Sequence, residues 1–125
     1  MQKLDFEPSW DKTLSSKDRK EIEKIFLETN RVHFSNVRLV PIRQAFNHKK
    51  ELLVTVLIHN FTENFFIFSK KRIAYVENSE IIAENTFTLP TLFIQPKTSM
   101  PWTFIFPEEC LKKNLTLENG RLEIM

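Results

Sequence analysis

Two hydrophobic periods divide the chain near residue 36. In residues 15–29, Ile22, Ile25 and Phe26 recur at helical spacing while charged residues occupy the other side. Ser15 or Ser16, at the start of this run, can accept a hydrogen bond from the first free amides. From Val37 onward, apolar and polar residues alternate with a period of two in runs of strand length. The pattern therefore predicts one amphipathic helix over 15–29 and a β-rich region over 37–125.

The run from Glu51 to Asn60 is the strongest strand signal. Its residues, ELLVTVLIHN, are apolar on both faces, which is typical of a central strand. The preceding run, Val37 to Phe46, contains Pro41, which cannot donate to a strand ladder and indicates an edge or a bulge. Further strands are predicted at 65–68, 73–76, 81–87, 92–94, 102–106 and 115–124. Short strands at this spacing indicate a sandwich or a barrel rather than a parallel sheet with crossover helices. Of these two, we expect an Ig-like antiparallel β-sandwich.

The aromatic residues near both ends of the chain carry more specific expectations. Residues 1–14 contain Phe6 and Trp10, and we interpret this segment as an extended arm whose rings pack on the body. In the run 102–106, Trp102 and Phe104 point one way and Ile105 the other, because successive side chains of a strand change face. One sheet face is therefore expected to be covered along this run.

Composition narrows the classes of function. A length of 125 residues fits one domain over 1–125, and 42% hydrophobic with 27% charged residues argues against disorder. The net charge of +2 is spread along the chain and indicates no nucleic-acid partner. A single Gly cannot build a phosphate-binding loop, and a single Cys cannot form an internal disulfide. The first residues do not resemble a secretion signal, and no run approaches the roughly 20 apolar residues of a membrane span. We therefore expect a cytoplasmic protein that is at most peripheral to a membrane.

The sequence offers no catalytic, cofactor-binding or metal-binding constellation. The three histidines, His33, His48 and His59, lie in different elements, and their spacing is not that of metal ligands. We expect them to be exposed or in turns. His59, at the end of the central strand, is the histidine that could instead make a buried hydrogen bond. The cluster Lys70-Lys71-Arg72 is interpreted as a charged hairpin connection. No serine has the glycine-flanked turn of a nucleophile, so we expect no enzyme.

The phenylalanines after the central strand suggest a binding surface. They follow one another too closely for all of them to face one core, and exposed apolar patches tend to mark protein interfaces. Phe61, Phe65 and Phe68 are therefore candidate protein-binding residues. The alternative is that both sheet faces are covered, one by the partner sheet and one by the helix.

Several segments together resemble the SLAP domain, a module of Firmicutes proteins associated with surface-layer assembly. The resembling segments are LDFEPSW with the following helix, ELLVTVLIHN, IIAENTFTL at 81–89, and IQPKTSMPWTFIF at 94–106. The resemblance implies a non-enzymatic accessory factor in the secretion or assembly of surface proteins, working with an accessory Sec translocation ATPase. Its partner would be a secretion client or a translocase component. Family members resemble a duplicated domain, whereas this chain carries one copy.

A second hypothesis is a sandwich that binds a carbohydrate or another small molecule. It predicts that Trp10 or Trp102 is exposed in a cleft beside polar side chains.

Overall fold

The computed structural model describes residues 2–30, 34–112 and 115–125. In chain order, the strands and helices are β1 (Lys3–Leu4), α1 (Pro8–Thr13), α2 (Ser16–Thr29), β2 (Val37–Phe46), β3 (Leu52–Asn60), β4 (Phe66–Glu77), β5 (Glu80–Ile94), β6 (Thr98–Phe106) and β7 (Gly120–Ile124). A 3₁₀ turn at Glu108–Cys110 follows β6.

The strands form two sheets, which confirms the predicted β-sandwich. The four-stranded sheet has the order β1-β6-β3-β2, and the three-stranded sheet has the order β5-β4-β7. β3 lies between β6 and β2, as expected of a strand that is apolar on both faces. β2 is an edge strand whose register shifts between Pro41 and Arg43, as the proline indicates. All pairs are antiparallel except β1 with β6, where the first residues of the arm run parallel to Thr98 and Ser99.

The main core lies between the two sheets. Phe87 of β5 makes edge-to-face contacts with Phe104 and Phe106 of β6, with ring centroids 5.1 and 5.3 Å apart. Such aromatic pairs add roughly 0.5–1.5 kcal/mol beyond the burial of their area. Ile105, between the two β6 phenylalanines, is exposed. The alternation predicted for 102–106 is therefore confirmed.

A second core lies under helix α2. Ile22 and Phe26 are buried against Leu57 on the outer face of the four-stranded sheet. The Ser15 side chain accepts a hydrogen bond from the Asp18 amide at 3.1 Å, so the helix begins where the sequence predicts. Helix α2 thus covers the part of the outer face around Leu57, while Ile105 on the same face stays exposed.

The prediction of an extended arm over 1–14 was wrong, because this segment contains helix α1. Pro8 stands at the first helical position, where its missing amide costs nothing and its fixed φ suits the helix. The Glu7 carboxylate accepts hydrogen bonds from the amides of Ser9 and Trp10. The expected packing of the aromatic rings is confirmed, since Trp10 stacks on Trp102 with centroids 6.3 Å apart. Met1 lies outside the described residues.

Four of the predicted strands join in pairs: 65–68 and 73–76 form one strand, β4, and 81–87 and 92–94 form one strand, β5. β4 runs through Lys70-Lys71-Arg72, so the interpretation of this cluster as a hairpin connection was wrong. The strand bulges there, with a register shift between Phe68 and Lys71 and a φ of 51° at Lys70, and the bulge lets charged side chains interrupt the apolar pattern without ending the strand. β5 likewise continues through Pro90, which an edge strand tolerates. Only the last part of the predicted strand 115–124 forms β7, and Asn114 lies outside the described residues.

Glu77 ties the loop before β7 to the end of β4. Its buried carboxylate accepts hydrogen bonds from the Tyr75 hydroxyl at 2.6 Å and from the amides of Thr116 and Leu117. Burial opposes its ionisation, but these hydrogen bonds outweigh burial and lower the pKa of Glu77. Gly120 faces the ring and hydroxyl of Tyr75 so closely that a Cβ atom there would overlap them.

We expect Gly120→Ala to destabilise the fold by about 1–3 kcal/mol, because the new methyl group displaces a Tyr75 hydroxyl that is held by Glu77. Urea denaturation followed by circular dichroism measures the change. Arg121→Lys at the neighbouring exposed position is the control, with an expected change within about 0.5 kcal/mol. Equal stability of the two variants would contradict this account of Gly120.

Candidate binding surface

The structure separates the three candidate phenylalanines. Phe65 is 59% exposed, whereas Phe61 and Phe68 are 2% and 0% exposed. Phe68 belongs to the core between the sheets, and the Phe61 ring stacks on His59 with centroids 4.9 Å apart. The expectation that Phe61 and Phe68 contribute to an exposed surface was therefore wrong, and Phe65 alone of the three can contact a partner in this conformation.

Two residues that sequence reasoning missed complete the exposed surface. Ile67 and Phe93 are register partners on β4 and β5, and each is 53% exposed. The Phe65 ring lies 6.2 Å from the Phe93 ring, between centroids. We call Phe65, Ile67 and Phe93 the aromatic patch. The alternation of strand side chains could have placed Ile67 on the opposite face from Phe66 and Phe68, which point inward. The alternation could not show which of the two faces is left uncovered.

Charged side chains follow the aromatic patch on the same side of the three-stranded sheet. Arg72 pairs with Glu84, and Arg121 pairs with Glu123, at 3.4 and 2.8 Å. These exposed ion pairs keep that part of the sheet hydrated and contribute little to stability. The apolar surface is therefore confined to one end of the sheet, where β4 begins and β5 ends.

A cleft of about 550 Å³ adjoins the aromatic patch and shares Phe93 with it. We call it the N-terminal cleft, because the segment from Asp5 to Pro8 forms one wall. The end of β5 forms the opposite wall, and Leu92, Thr98 and Met100 are its buried residues. Its volume lies in the range of roughly 300–1,000 Å³ that is typical of ligand-binding clefts.

Asn60 at the end of β3 organises the segments that carry the aromatic patch. Its buried side-chain nitrogen lies 2.8–3.1 Å from the backbone oxygens of Asn64, Ile94 and Gln95. Its side-chain oxygen accepts hydrogen bonds from the amide and hydroxyl of Thr62. One side chain thus connects the turn that presents Phe65 with the end of the strand that presents Phe93.

His59 is buried, so the expectation that the histidines are exposed or in turns was wrong for this residue. Its Nδ1 lies 2.5 Å from the Ser99 hydroxyl and its Nε2 lies 2.7 Å from the Thr29 hydroxyl. His48 is exposed in a turn as expected, and His33 lies outside the described residues. The hydrogen bonds of His59 connect helix α2, β3 and β6, which explains why a polar side chain occupies the core.

The contact between His59 and Ser99 is not accessible from solvent. Both side chains are fully buried, and the Gln2 amide also donates to the Ser99 hydroxyl at 3.0 Å. Burial lowers the pKa of His59 to about 4, so the ring is neutral at pH 7. A neutral imidazole with both nitrogens hydrogen-bonded fits the role of a structural connection.

Trp10 and Trp102, the residues proposed for sugar binding, are half-buried and stacked on each other. Neither lines the N-terminal cleft. In the part of the chain that the structure describes, no group of three or more His, Cys, Asp or Glu side chains is placed to hold a metal ion. Among the same residues, no helix is both long enough and apolar enough to cross a bilayer.

The sequence profile of the SLAP domain matches residues 4–124, which is essentially the whole chain. The protein therefore belongs to the SLAP domain family. No curated protein and no solved structure matches the chain.

We expect Asn60→Ala to destabilise the protein by about 2–4 kcal/mol, because it leaves buried carbonyls at the end of β5 without their donor. Urea denaturation measures the loss. Asn64→Ala is the control, because Asn64 is exposed and contributes only its backbone to this turn; its expected change is within about 0.5 kcal/mol. Similar small losses for both variants would show that Asn60 does not organise this region.

We expect stability to fall by about 2 kcal/mol between pH 7.5 and pH 5 because of His59. The unfolded imidazole takes up a proton near pH 6.5, whereas the buried ring stays neutral until about pH 4, so the unfolded state binds more protons in this window. Urea denaturation at half-unit pH steps measures the slope. His48→Gln is expected to keep it, because His48 is exposed. A flat profile over this window would contradict the burial of a neutral His59.

Proposed function

We propose that this protein is a non-enzymatic protein-binding accessory factor in the secretion or assembly of surface-layer or other cell-surface proteins. It acts in the cytoplasm, free or at the membrane surface, and its partner is a secretion client. The observation that carries the proposal is the aromatic patch, in which Phe65, Ile67 and Phe93 are each more than half exposed at adjoining positions.

Membership of the SLAP domain family supports the biological setting. The family name points to a role associated with the surface layer and the accessory Sec system. Proteins of that setting must recognise other proteins, and large apolar side chains exposed together are the feature by which protein interfaces are commonly found.

The chemistry of the aromatic patch supports protein recognition over small-molecule binding. Burying the exposed half of a large apolar side chain contributes on the order of 1 kcal/mol, so three such side chains supply a useful part of a binding free energy. Exposed rings held by a rigid sheet also lose little side-chain entropy on binding.

The double variant Phe65→Ser with Phe93→Ser is expected to weaken binding of a purified surface-layer precursor at least tenfold, because it removes most of the exposed aromatic surface. Biolayer interferometry with the precursor and, in parallel, the accessory translocation ATPase of the same organism measures the effect. Circular dichroism confirms that the variant is folded.

Phe46→Ser is the matched control, because Phe46 is 47% exposed and lies on edge strand β2 in the other sheet. It is expected to bind as the unaltered protein does. Binding of the ATPase alone would identify a translocase component as the partner. Absence of binding to either protein, or equal loss in the control, would refute the proposed function.

A further inference from the structure

The N-terminal cleft combines an apolar interior with an acidic rim. Leu92 and Met100 are buried in it, and Phe93 stands at its opening to the aromatic patch. The charged side chains that line it, Asp5 and Glu7, are both carboxylates. An apolar cleft with this rim fits an occupant that has apolar side chains next to positive charges.

Among the described residues no ion pair joins Asp5 or Glu7 to a cation, and the Arg19 guanidinium lies over the ring of Phe6 in the same wall, 4.6 Å from its centroid. Lys97 pairs with Glu63 at 3.2 Å and donates to the Phe61 carbonyl at 2.7 Å. Arg19 pairs with Asp11 at 2.8 Å.

Glu7 keeps its charge at neutral pH. The hydroxyl of Ser9 donates a hydrogen bond to the Glu7 carboxylate, and this bond, opposed by burial, lowers the pKa of Glu7. The amides of Ser9 and Trp10 donate to the same carboxylate and act in the same direction. Glu7 therefore presents a fixed negative charge at the rim.

The wall formed by β5 also offers a strand edge. β5 is the edge strand of the three-stranded sheet, and a bridge between Ala83 and Leu111 covers part of its first half. At the other end, Thr91, Leu92 and Phe93 line the cleft, and no strand within residues 2–30, 34–112 and 115–125 pairs with their outer side. The β4–β5 ladder shifts register between Ile67 and Phe68, and Pro90 interrupts β5 just before the cleft, so the edge open to an added peptide strand is the short stretch after Pro90.

We infer that the N-terminal cleft binds an extended peptide segment in which lysine or arginine residues stand next to a short apolar run. The apolar side chains pack against Leu92, Phe93 and Met100, the cations approach Asp5 and Glu7, and the peptide backbone pairs with the edge of β5. A basic start followed by an apolar run is the composition of the N-terminal leaders of exported proteins. The inference rests on the proposed function and names the part of the client that is recognised.

Fluorescence anisotropy with two labelled synthetic peptides and the full chain tests the inference. One peptide carries three lysines followed by a leucine- and valine-rich run, and the other has glutamates in place of the lysines. We expect the lysine peptide to bind at least tenfold more tightly at low salt, with the difference shrinking as salt is raised. Equal binding of the two peptides, or binding of neither, would overturn the inference.

The double variant Asp5→Asn with Glu7→Gln isolates the acidic rim. Each new amide retains an oxygen that can accept the local backbone hydrogen bonds, so the wall of the cleft is expected to persist. We expect about a 3- to 10-fold loss of affinity for the lysine peptide. Glu80→Gln with Glu118→Gln, at exposed positions outside the cleft lining, is the control with the same change in net charge and no expected loss. Equal losses in the two double variants would overturn the assignment to the cleft.

Amide chemical shifts in a ¹⁵N-labelled sample locate the peptide independently of any variant. We expect the lysine peptide to shift the amides of Thr91–Gln95 and to leave those of β2 in place. Shifts confined to β2 would overturn the inference.

The two proposals fail separately. If neither peptide binds while the whole precursor still binds through the aromatic patch, the leader-binding inference is overturned and the proposed function stands. If the lysine peptide binds in the cleft while neither precursor nor ATPase binds, the cleft assignment stands and the proposed function is overturned.

Discussion

Asn60 and His59 are buried polar residues whose hydrogen bonds connect parts of the fold that are far apart in sequence. Asn60 reaches from β3 to the carbonyls at the end of β5, so it connects the two sheets directly. His59 connects β3 to Thr29 of helix α2 and to Ser99 of β6. An unsatisfied buried polar group costs about 1–3 kcal/mol, so these contacts form together or the core opens. The segments around them are therefore held in one arrangement.

This network gives the binding surface its shape without being part of it. Phe65 and Phe93 lie on the two segments that Asn60 connects. The wall of the N-terminal cleft from Asp5 to Pro8 directly follows β1. Gln2, just before β1, holds this end of the chain in place because its side-chain amide donates to the backbone carbonyl of Asn60 and to the Ser99 hydroxyl. A rigid frame of this kind lowers the entropy that an exposed aromatic side chain loses on binding. Buried residues outside the aromatic patch thus fix how its side chains are presented.

The two sheets differ in what remains open to a partner. Helices α1 and α2 pack on the four-stranded sheet. Each sheet has an edge strand that contains a proline, Pro41 in β2 and Pro90 in β5. The three-stranded sheet carries two ion pairs on its outer side and exposed apolar groups where β4 begins and β5 ends. In this member of the SLAP domain family, the exposed apolar groups of β4 and β5 therefore lie at a single end of the three-stranded sheet.

The sequence by itself determined the elements whose signals are local. Helix α2, strand β2 and the central position of β3 follow from side-chain period and from Pro41, since period decides which side chains share a face. It did not determine which face is covered, because that depends on residues distant in the chain. Phe65 and Phe68 belong to one short apolar run, yet Phe68 meets Phe104 in the core while Phe65 meets Phe93, which is also more than half exposed. Tertiary contacts likewise decided three other features: the burial of His59, the bulge in β4 at Lys71 and the cleft beside Asp5. Each of them arises only when separate strands are brought together.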